Sequence, residues 1–563
     1  MARPFTTFDR SVAAGRLASE PFDVLVVGGG ITGAGVLLEA AARGLRAALV
    51  EQDDFASGTS SKSSKLVHGG LRYLQQRELR LVHENLVERQ RLLHNAPHLV
   101  RTLPFLIPLF GSGGVVDRTV VRGYSVALWL YDAAGGWRIG HRHKKVTAAE
   151  VSAHLPTLRT DRIVAGFLYF DASTDDARLT LSIVRTAVLD HGATALNHAG
   201  AVSFLCTTGG TITGARVRVD DLPGAGEIDV RARVVVNAGG VWADDIRSLE
   251  DGRHPGSLRP AKGIHLTVPA SKLPCDVAAV VPVRSDRRSI FVVPWGEHTY
   301  LGTTDTDYSG ALARPSVERA DIDYVLAAVN AVISVPIRPS DVTGAWAGLR
   351  PLLATPPEGR RLSTRTADLS RRHKVMISGG GLVTVTGGKL TTYRKMAEDT
   401  LGHVVRRLGD VPGRCPTRRM RLRGAEGLSE LRRPGTGTRY GLSEGQFAHL
   451  VERYGGEAPL VAGLAEGRPE LLEPLAEGLG YLLVEALYAA RYEMASTLED
   501  VLARRTRALL LDARAAAAAA ATVGGLLAPE LGWDARRLEA EVAELRAASA
   551  AELSAASSTE GEP

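Results

Sequence analysis

DVLVVGGGITGAGVLLEAAARGLRAALVE, residues 23–51, decides the fold of this chain. Val24-Leu25-Val26-Val27 is a short, unbroken apolar run, the pattern of a strand buried on both faces. Gly28, Gly30 and Gly33 follow in G-x-G-x-x-G spacing; a helical pattern then covers residues 34–43, and a second strand over residues 47–50 ends at Glu51. Strand, glycine turn, helix, strand and terminal acid make a βαβ unit that fits a dinucleotide. Gly28 permits the tight turn, Gly30 lets backbone approach a pyrophosphate, and Gly33 lets helix and strand pack closely. The helix N-terminus presents N–H groups to phosphate oxygens, and Glu51 is placed to accept from ribose hydroxyls.

The whole chain bounds what this unit belongs to. Its 563 residues suffice for several domains, and 45% hydrophobic with 23% charged residues is a globular composition. Cys206, Cys275 and Cys415 are far apart and form no C-x-x-C pair, so neither a disulfide framework nor a metal site is expected. No run approaches the ~20 apolar residues of a membrane span, and residues 1–22 lack the apolar core of a secretory signal. The expectation is a cytosolic or peripheral protein. A net charge of +6 is mild for this length and gives no reason to expect nucleic acid. Residues 414–439 carry eight arginines against Glu426 and Glu430, which suits anionic headgroups or a solvated linker equally well.

Along the chain, helical patterns cover residues 77–95, 120–132, 180–191 and 391–407, and alternating strands fall at 199–205, 212–219 and 227–236. Val234-Val235-Val236-Asn237-Ala238-Gly239-Gly240 reads as a buried strand entering a glycine turn. Beyond residue 422 strand signals vanish and Ala, Leu, Glu and Arg dominate, which marks a helical domain. Two further segments point to a ligand. Gly58-Thr59-Ser60-Ser61-Lys62-Ser63-Ser64-Lys65 supplies hydroxyls and backbone N–H groups. His68-Gly69-Gly70-Leu71-Arg72-Tyr73 brackets two glycines with polar side chains.

Residues 63–73, SSKLVHGGLRY, resemble the signature of the FAD-dependent glycerol-3-phosphate dehydrogenases. Further matches are Lys262-Gly263-Ile264-His265, Gly302-Thr303-Thr304-Asp305, Gly348-Leu349-Arg350-Pro351-Leu352, Gly387-Gly388-Lys389-Leu390-Thr391-Thr392-Tyr393-Arg394 and residues 497–506, TLEDVLARRT. Their order and spacing fit that family over residues 21–510. The resemblance implies FAD as cofactor, sn-glycerol 3-phosphate as substrate, a respiratory quinone as acceptor and a peripheral position on the inner face of the cytoplasmic membrane. It also implies a fold of three parts. A discontinuous, Rossmann-like α/β FAD domain would take residues 21–100, 155–260 and 345–410. An antiparallel-sheet substrate and membrane-facing domain would take residues 101–154 and 261–344. A helical C-terminal domain would take residues 420–545, for dimerisation or partner docking. Residues 1–20 are expected as a flexible arm and 546–563 as a disordered tail.

Removing a hydride from carbon and a proton from oxygen of a phosphorylated alcohol calls for cations and a proton acceptor. Arg is the best fork for phosphate oxygens, and in the segments that match the family the resemblance implies substrate contacts at Arg72, Tyr73, Arg350, Arg365 and Lys389. Candidates to stabilise or accept the hydroxyl proton are Arg350, Lys389, His265 and His68, and sequence does not choose among them. The expected cofactor contacts are Gly28, Gly30, Gly33, Glu51, Thr59, Ser60, Ser61, Ser64, Lys65, Leu66, Gly69, Gly70, Ala238, Gly239, Gly387, Gly388, Leu390 and Thr391. Gly302-Thr303-Thr304-Asp305 reads as a structural turn beside the site. With one convincing dinucleotide box, electrons must leave the flavin for a quinone, oxygen or a protein carrier. A glycerol-3-phosphate oxidase producing peroxide is the alternative, and a non-catalytic flavin- or lipid-binding protein a more distant one.

Overall fold

The computed structural model describes residues 7–71, 73, 78–111, 118–222, 224, 226–283, 288–354, 372–409 and 413–557; Arg72 and Arg365 lie outside them. The first strand runs Phe22–Val27 and pairs in parallel with Ala47–Val50 on one side and Glu227–Asn237 on the other. Val383–Thr386 and Thr194–Leu196 extend the parallel array outward, and Lys374–Ile377 closes one edge antiparallel. Val24, Leu25 and Val26 are fully buried, because helices cover the sheet. One of them, Ile31–Ala42, packs against Asp176–Leu189 and Tyr393–Leu408.

Among the described residues the second sheet has ten strands, built on the long pairings Val100–Phe110 with Ile163–Thr174 and Leu258–Pro269 with Gly344–Leu353. Its pairings are antiparallel except where Ala278–Pro282 meets Val100–Phe110. Beyond residue 422 the named elements are helices, among them Glu444–Tyr454, Leu483–Tyr492 and Ala513–Leu531. The architecture is therefore mixed α/β, with a helical C-terminal part, and that part shares a hydrophobic core with the second sheet.

Element ends differ from expectation where a side chain outside the apolar pattern sets them. The helix expected from residue 180 starts at Asp176, because the Asp175 carboxylate accepts from Arg178 N and caps it. Both termini also correct the sequence expectation. Residues 10–19 are not a flexible arm but a helix, Arg10–Ser19, N-capped by Asp9, with Ala13, Ala14 and Leu17 buried. Its buried face is too small and too weakly apolar to stand out as a periodic signal. At the other end, helix Ala535–Ser557 runs through most of the expected tail. Leu545, Ser549, Leu553 and Ala556 bury one stripe of it, and Ser549 Oγ donates to Ala513 O at 2.7 Å. Small residues at helical spacing pack there, where composition alone suggests disorder.

Candidate active site

Four parallel strands end at one cleft. Val27 leads to Gly28, Val50 to Glu51, Asn237 to Ala238 and Thr386 to Gly387, and Gly28, Glu51, Ala238 and Gly387 all line it. A cleft outside the carboxyl ends of parallel strands is where open α/β sheets bind ligands. The empty space, counted to its open mouth, is about 1460 Å³.

Backbone packing explains the glycine spacing. Gly28 has φ +112°, and a Cβ there would lie 2.7 Å from Ala238 O. A Cβ on Gly33 would lie 1.9 Å from Gly28 O, so helix Ile31–Ala42 crosses its strand in direct backbone contact. Gly30 caps that helix and faces the cleft. At the end of the second strand, Glu51 Oε2 accepts from Gly29 N at 2.6 Å and Oε1 from Asp53 N at 2.9 Å. Burial pushes its carboxyl up to about 7.

The serine-rich loop divides its work. Thr59, Ser60 and Ser63 line the cleft. Ser60 Oγ accepts from Ile31 N at 2.9 Å, and Thr59 Oγ1 donates to Leu349 O at 2.6 Å. Ser61, Ser64, Lys65 and Leu66, expected at the cofactor, are not among the residues that line the cleft. The Lys65 ammonium is buried against Asp176 at 2.9 Å and lies over the Trp346 and Trp295 rings. Leu66 pairs with Ser173 in the second sheet. Gly69 N donates to Tyr131 Oη and Asp171, and neither Gly69 nor Gly70 lines the cleft. Thr391 is also buried off the cleft, where its Oγ1 accepts from His68 N at 3.3 Å.

Arg350, Lys389 and Leu390 line the same cleft as the glycine box. Arg350 sits on strand Gly344–Leu353, with Nη1 3.2 Å from Asp305 Oδ1 and Nη2 3.2 Å from both Thr303 Oγ1 and Thr304 O. The turn read from sequence as merely structural thus holds the guanidinium. Lys389 opens the turn into helix Tyr393–Leu408 and places its ammonium 3.8 Å from the centre of the Tyr73 ring. That contact brings together two predicted substrate residues from distant segments.

His265 does not line the cleft. It is 2% exposed, stacks on Trp346 at 4.9 Å, and its Nε2 lies 2.9 Å from Ser64 Oγ. Burial, then the charges of Lys65 and Arg350, hold its pKa well below the ordinary histidine range. Residues that the sequence reading did not assign complete the wall: Gln52, Ser57, Trp242, Ile246 and Leu352. Trp242 packs so closely on Gly58 that a Cβ there would lie 2.9 Å from its ring. Its place directly after the Asn237–Gly240 turn was the available signal.

The donor set fits FAD. Side-chain-free backbone lies at a helix N-terminus where a pyrophosphate would sit, a carboxyl stands at the second strand for the ribose, and glycines at residues 387 and 388 lead a third segment in. Fold and cleft together define a flavin-dependent oxidoreductase.

Comparison with known proteins narrows the class. The family described as FAD dependent oxidoreductase matches residues 23–394, and the C-terminal domain of alpha-glycerophosphate oxidase matches residues 415–538. Glycerol-3-phosphate dehydrogenase 2 of Mycobacterium tuberculosis is 42% identical over 548 residues, covering 97% of this chain and 91% of that protein. The human mitochondrial glycerol-3-phosphate dehydrogenase is 36% identical over 529 residues, covering 91% of this chain and 71% of that protein. The solved structure of the Bacillus halodurans glycerol-3-phosphate dehydrogenase complexed with FAD superposes with a TM-score of 0.79 at 32% identity, covering 99% of this chain and 100% of that one. The chain belongs to the family of FAD-dependent glycerol-3-phosphate dehydrogenases, and its cofactor is FAD.

Proposed function

We propose that this protein oxidises sn-glycerol 3-phosphate to dihydroxyacetone phosphate and passes the electrons to a membrane quinone. The observation that carries the reading is the convergence of Arg350 and Lys389 on the cleft formed by the parallel-strand ends. FAD, when bound, supplies the hydride acceptor. Arg350 offers a planar fork for phosphate oxygens, and Thr303, Thr304 and Asp305 fix its orientation before substrate arrives. The Lys389 ammonium, held over Tyr73, is suited to the substrate hydroxyl oxygen. Arg350, Lys389, His265 and His68 are the groups to stabilise or take the hydroxyl proton, and of these Arg350 and Lys389 line the cleft. Arg72 and Arg365, outside the described residues, stay in the proposed substrate set from the motif resemblance.

The acceptor reading draws support from the surface. Helix Arg118–Ala133 exposes Val126, Trp129 and Leu130, and Trp137 follows at 54% exposure. Arg122, Arg142, Lys144 and Lys145 are exposed around them. Apolar side chains in a basic surround suit an anionic bilayer surface. In the arginine-rich segment, by contrast, Arg418 is bound to Glu398, and Arg423 to Asp190 and Glu457. Among the described residues no helix is long and apolar enough to cross a membrane.

Anaerobic titration of the flavin with sn-glycerol 3-phosphate tests the reaction. Bleaching with formation of dihydroxyacetone phosphate is expected; an unchanged flavin band rejects the substrate. Adding a quinone should reoxidise the flavin faster than air does, and stoichiometric peroxide would favour the oxidase instead.

A further inference from the structure

The segment Thr497–Thr506, matched to the family by sequence, contributes nothing to the lining of the cleft. Its arginines instead reach two cofactor loops from behind. Arg505 forks Asp54, with Nη1 2.5 Å from Oδ2 and Nη2 2.8 Å from Oδ1, and Arg504 Nε adds a contact to Oδ2 at 2.7 Å. Asp54 belongs to the loop directly after Glu51, whose carboxylate already accepts from Asp53 N. Arg507, one residue past the motif, donates to Ser61 O and, at 3.2 Å, to Asp176 Oδ1. Asp176 in turn accepts from Lys65 Nζ at 2.9 Å and from Ser63 N and Oγ at 3.0 and 2.7 Å. Ser60, in the same loop, caps the dinucleotide helix through Ile31 N.

Asp54, Asp176, Arg505 and Arg507 are all at most 1% exposed. Arg507 also keeps φ +71°, a backbone region that residues with a side chain rarely adopt. Charges so enclosed are compensated only as a set, and shifting one member moves the others. We infer that Arg505 and Arg507 are positioning residues for the cofactor: through Asp54 and Asp176, the C-terminal helical domain holds the loops around residues 52–56 and 57–65 in the shape that binds FAD. This rests on the reading of the cleft as the FAD site. The helical domain then takes part in cofactor binding, and its docking and FAD occupancy must be linked.

Linkage is reciprocal, so FAD must stabilise the motif that it does not touch. Hydrogen exchange on the full chain, FAD-loaded and FAD-stripped, tests this. Slower exchange of residues 499–507 on FAD binding, together with residues 57–65, is expected. The helix carrying Arg491, paired with Glu530 inside the same domain at 2.6 Å, should be unaffected. Protection confined to cleft-lining residues would overturn the inference while leaving the cleft reading intact; no protection at residues 28–33 would overturn both. Arg507→Lys keeps the charge but loses the fork. It should weaken FAD binding about tenfold or more, whereas Arg491→Lys, which alters another arginine pair of the same domain, should leave FAD affinity as it is. If the two variants lose FAD equally, or if Arg507→Lys leaves affinity unchanged, the inference fails.

Discussion

Gly263 and Arg350 share one face of the antiparallel pair Leu258–Pro269 and Gly344–Leu353, and the absence of a side chain at the first makes room for the second. Arg350 stands opposite Ala261, two residues along from Gly263, so the two lie diagonally on the same face. A Cβ on Gly263 would lie 2.4 Å from Arg350 Nη2 and 2.5 Å from Thr303 Oγ1. Gly263→Ala must therefore move the guanidinium away from Thr303 and Asp305. The expected result is a rise in KM for sn-glycerol 3-phosphate of about tenfold or more, the scale of a misplaced charged contact, with FAD content unchanged. Steady-state kinetics beside a flavin spectrum read both.

Arg350→Ala should be the more severe change. Losing one charged partner of a buried ionic contact costs about 2–5 kcal/mol, and Arg350 is only partly exposed, at 22%. kcat/KM should fall by about two orders of magnitude or more while FAD stays bound. Arg350→Lys should rescue little of this, since an ammonium cannot keep the contacts to Thr303 and Asp305 and also offer a fork to phosphate. Kinetics close to the parent protein would remove Arg350 from the site.

The fold was legible wherever one segment carries the whole signal. The unit over residues 23–51 announces itself because a strand buried on both faces, a glycine turn and a helix each leave a local mark. Lys65 shows where such reading stops. Its neighbour Ser63 shares Asp176 with it and lines the cleft, and only the Trp346 and Trp295 rings beside the Lys65 ammonium show that the two side chains part. His265 shows the same limit: its stacking on Trp346 is a property of two strands in register, His265 opposite Trp346, and no local pattern encodes it. Asp305 reads as part of a structural turn for the converse reason, since its partner Arg350 is brought to it only by the sheet.

Glu51 gives a pH signature to cofactor binding. Burial raises its carboxyl from the ordinary 4.5 to about 7, so the folded apoprotein holds a proton there that the unfolded chain releases. Its contribution should therefore lower stability as pH rises from about 4.5 through about 7. Ribose hydroxyls donating to the carboxylate would favour its charged form, so FAD binding near pH 6 should release a proton. Calorimetry in two buffers of different ionisation heat reads that proton directly. Glu51→Gln should abolish the release and flatten the stability profile; a proton release that persists in the variant would assign it elsewhere.

His198 carries the opposite dependence. Burial alone would lower its pKa, but Asp500, hydrogen-bonded to Nε2 at 3.0 Å, and Asp54 outweigh both burial and the nearby Arg10, and the ring is raised to about 9. The stabilisation is fully present below pH 6.5 and is lost as pH rises through about 9. Because Asp500 lies in the C-terminal part and His198 beside the parallel sheet, that loss should loosen the contact between the two parts. Thermal unfolding from pH 6 to 10 should show a decline over this interval that His198→Gln lacks. An identical decline in both proteins would place the titrating group elsewhere.

The exposed aromatic surface sets a last expectation. Trp129 and Leu130 are more than half exposed on helix Arg118–Ala133, and neither side chain contributes to the hydrophobic core. Replacing both with Ser should leave folding and the flavin spectrum unaltered, because exposed positions carry little of the stability. Burying such side chains in a headgroup layer is worth about 1.5–3 kcal/mol each, so binding to vesicles of anionic lipid should fall by about two orders of magnitude in the double variant. Reduction of a water-soluble dye should continue at the parent rate, while reduction of a bilayer quinone falls with the lost binding. Vesicle binding equal to the parent's would move the docking surface away from this helix. A parallel loss of dye reduction would show instead that the helix supports the active site rather than the membrane contact.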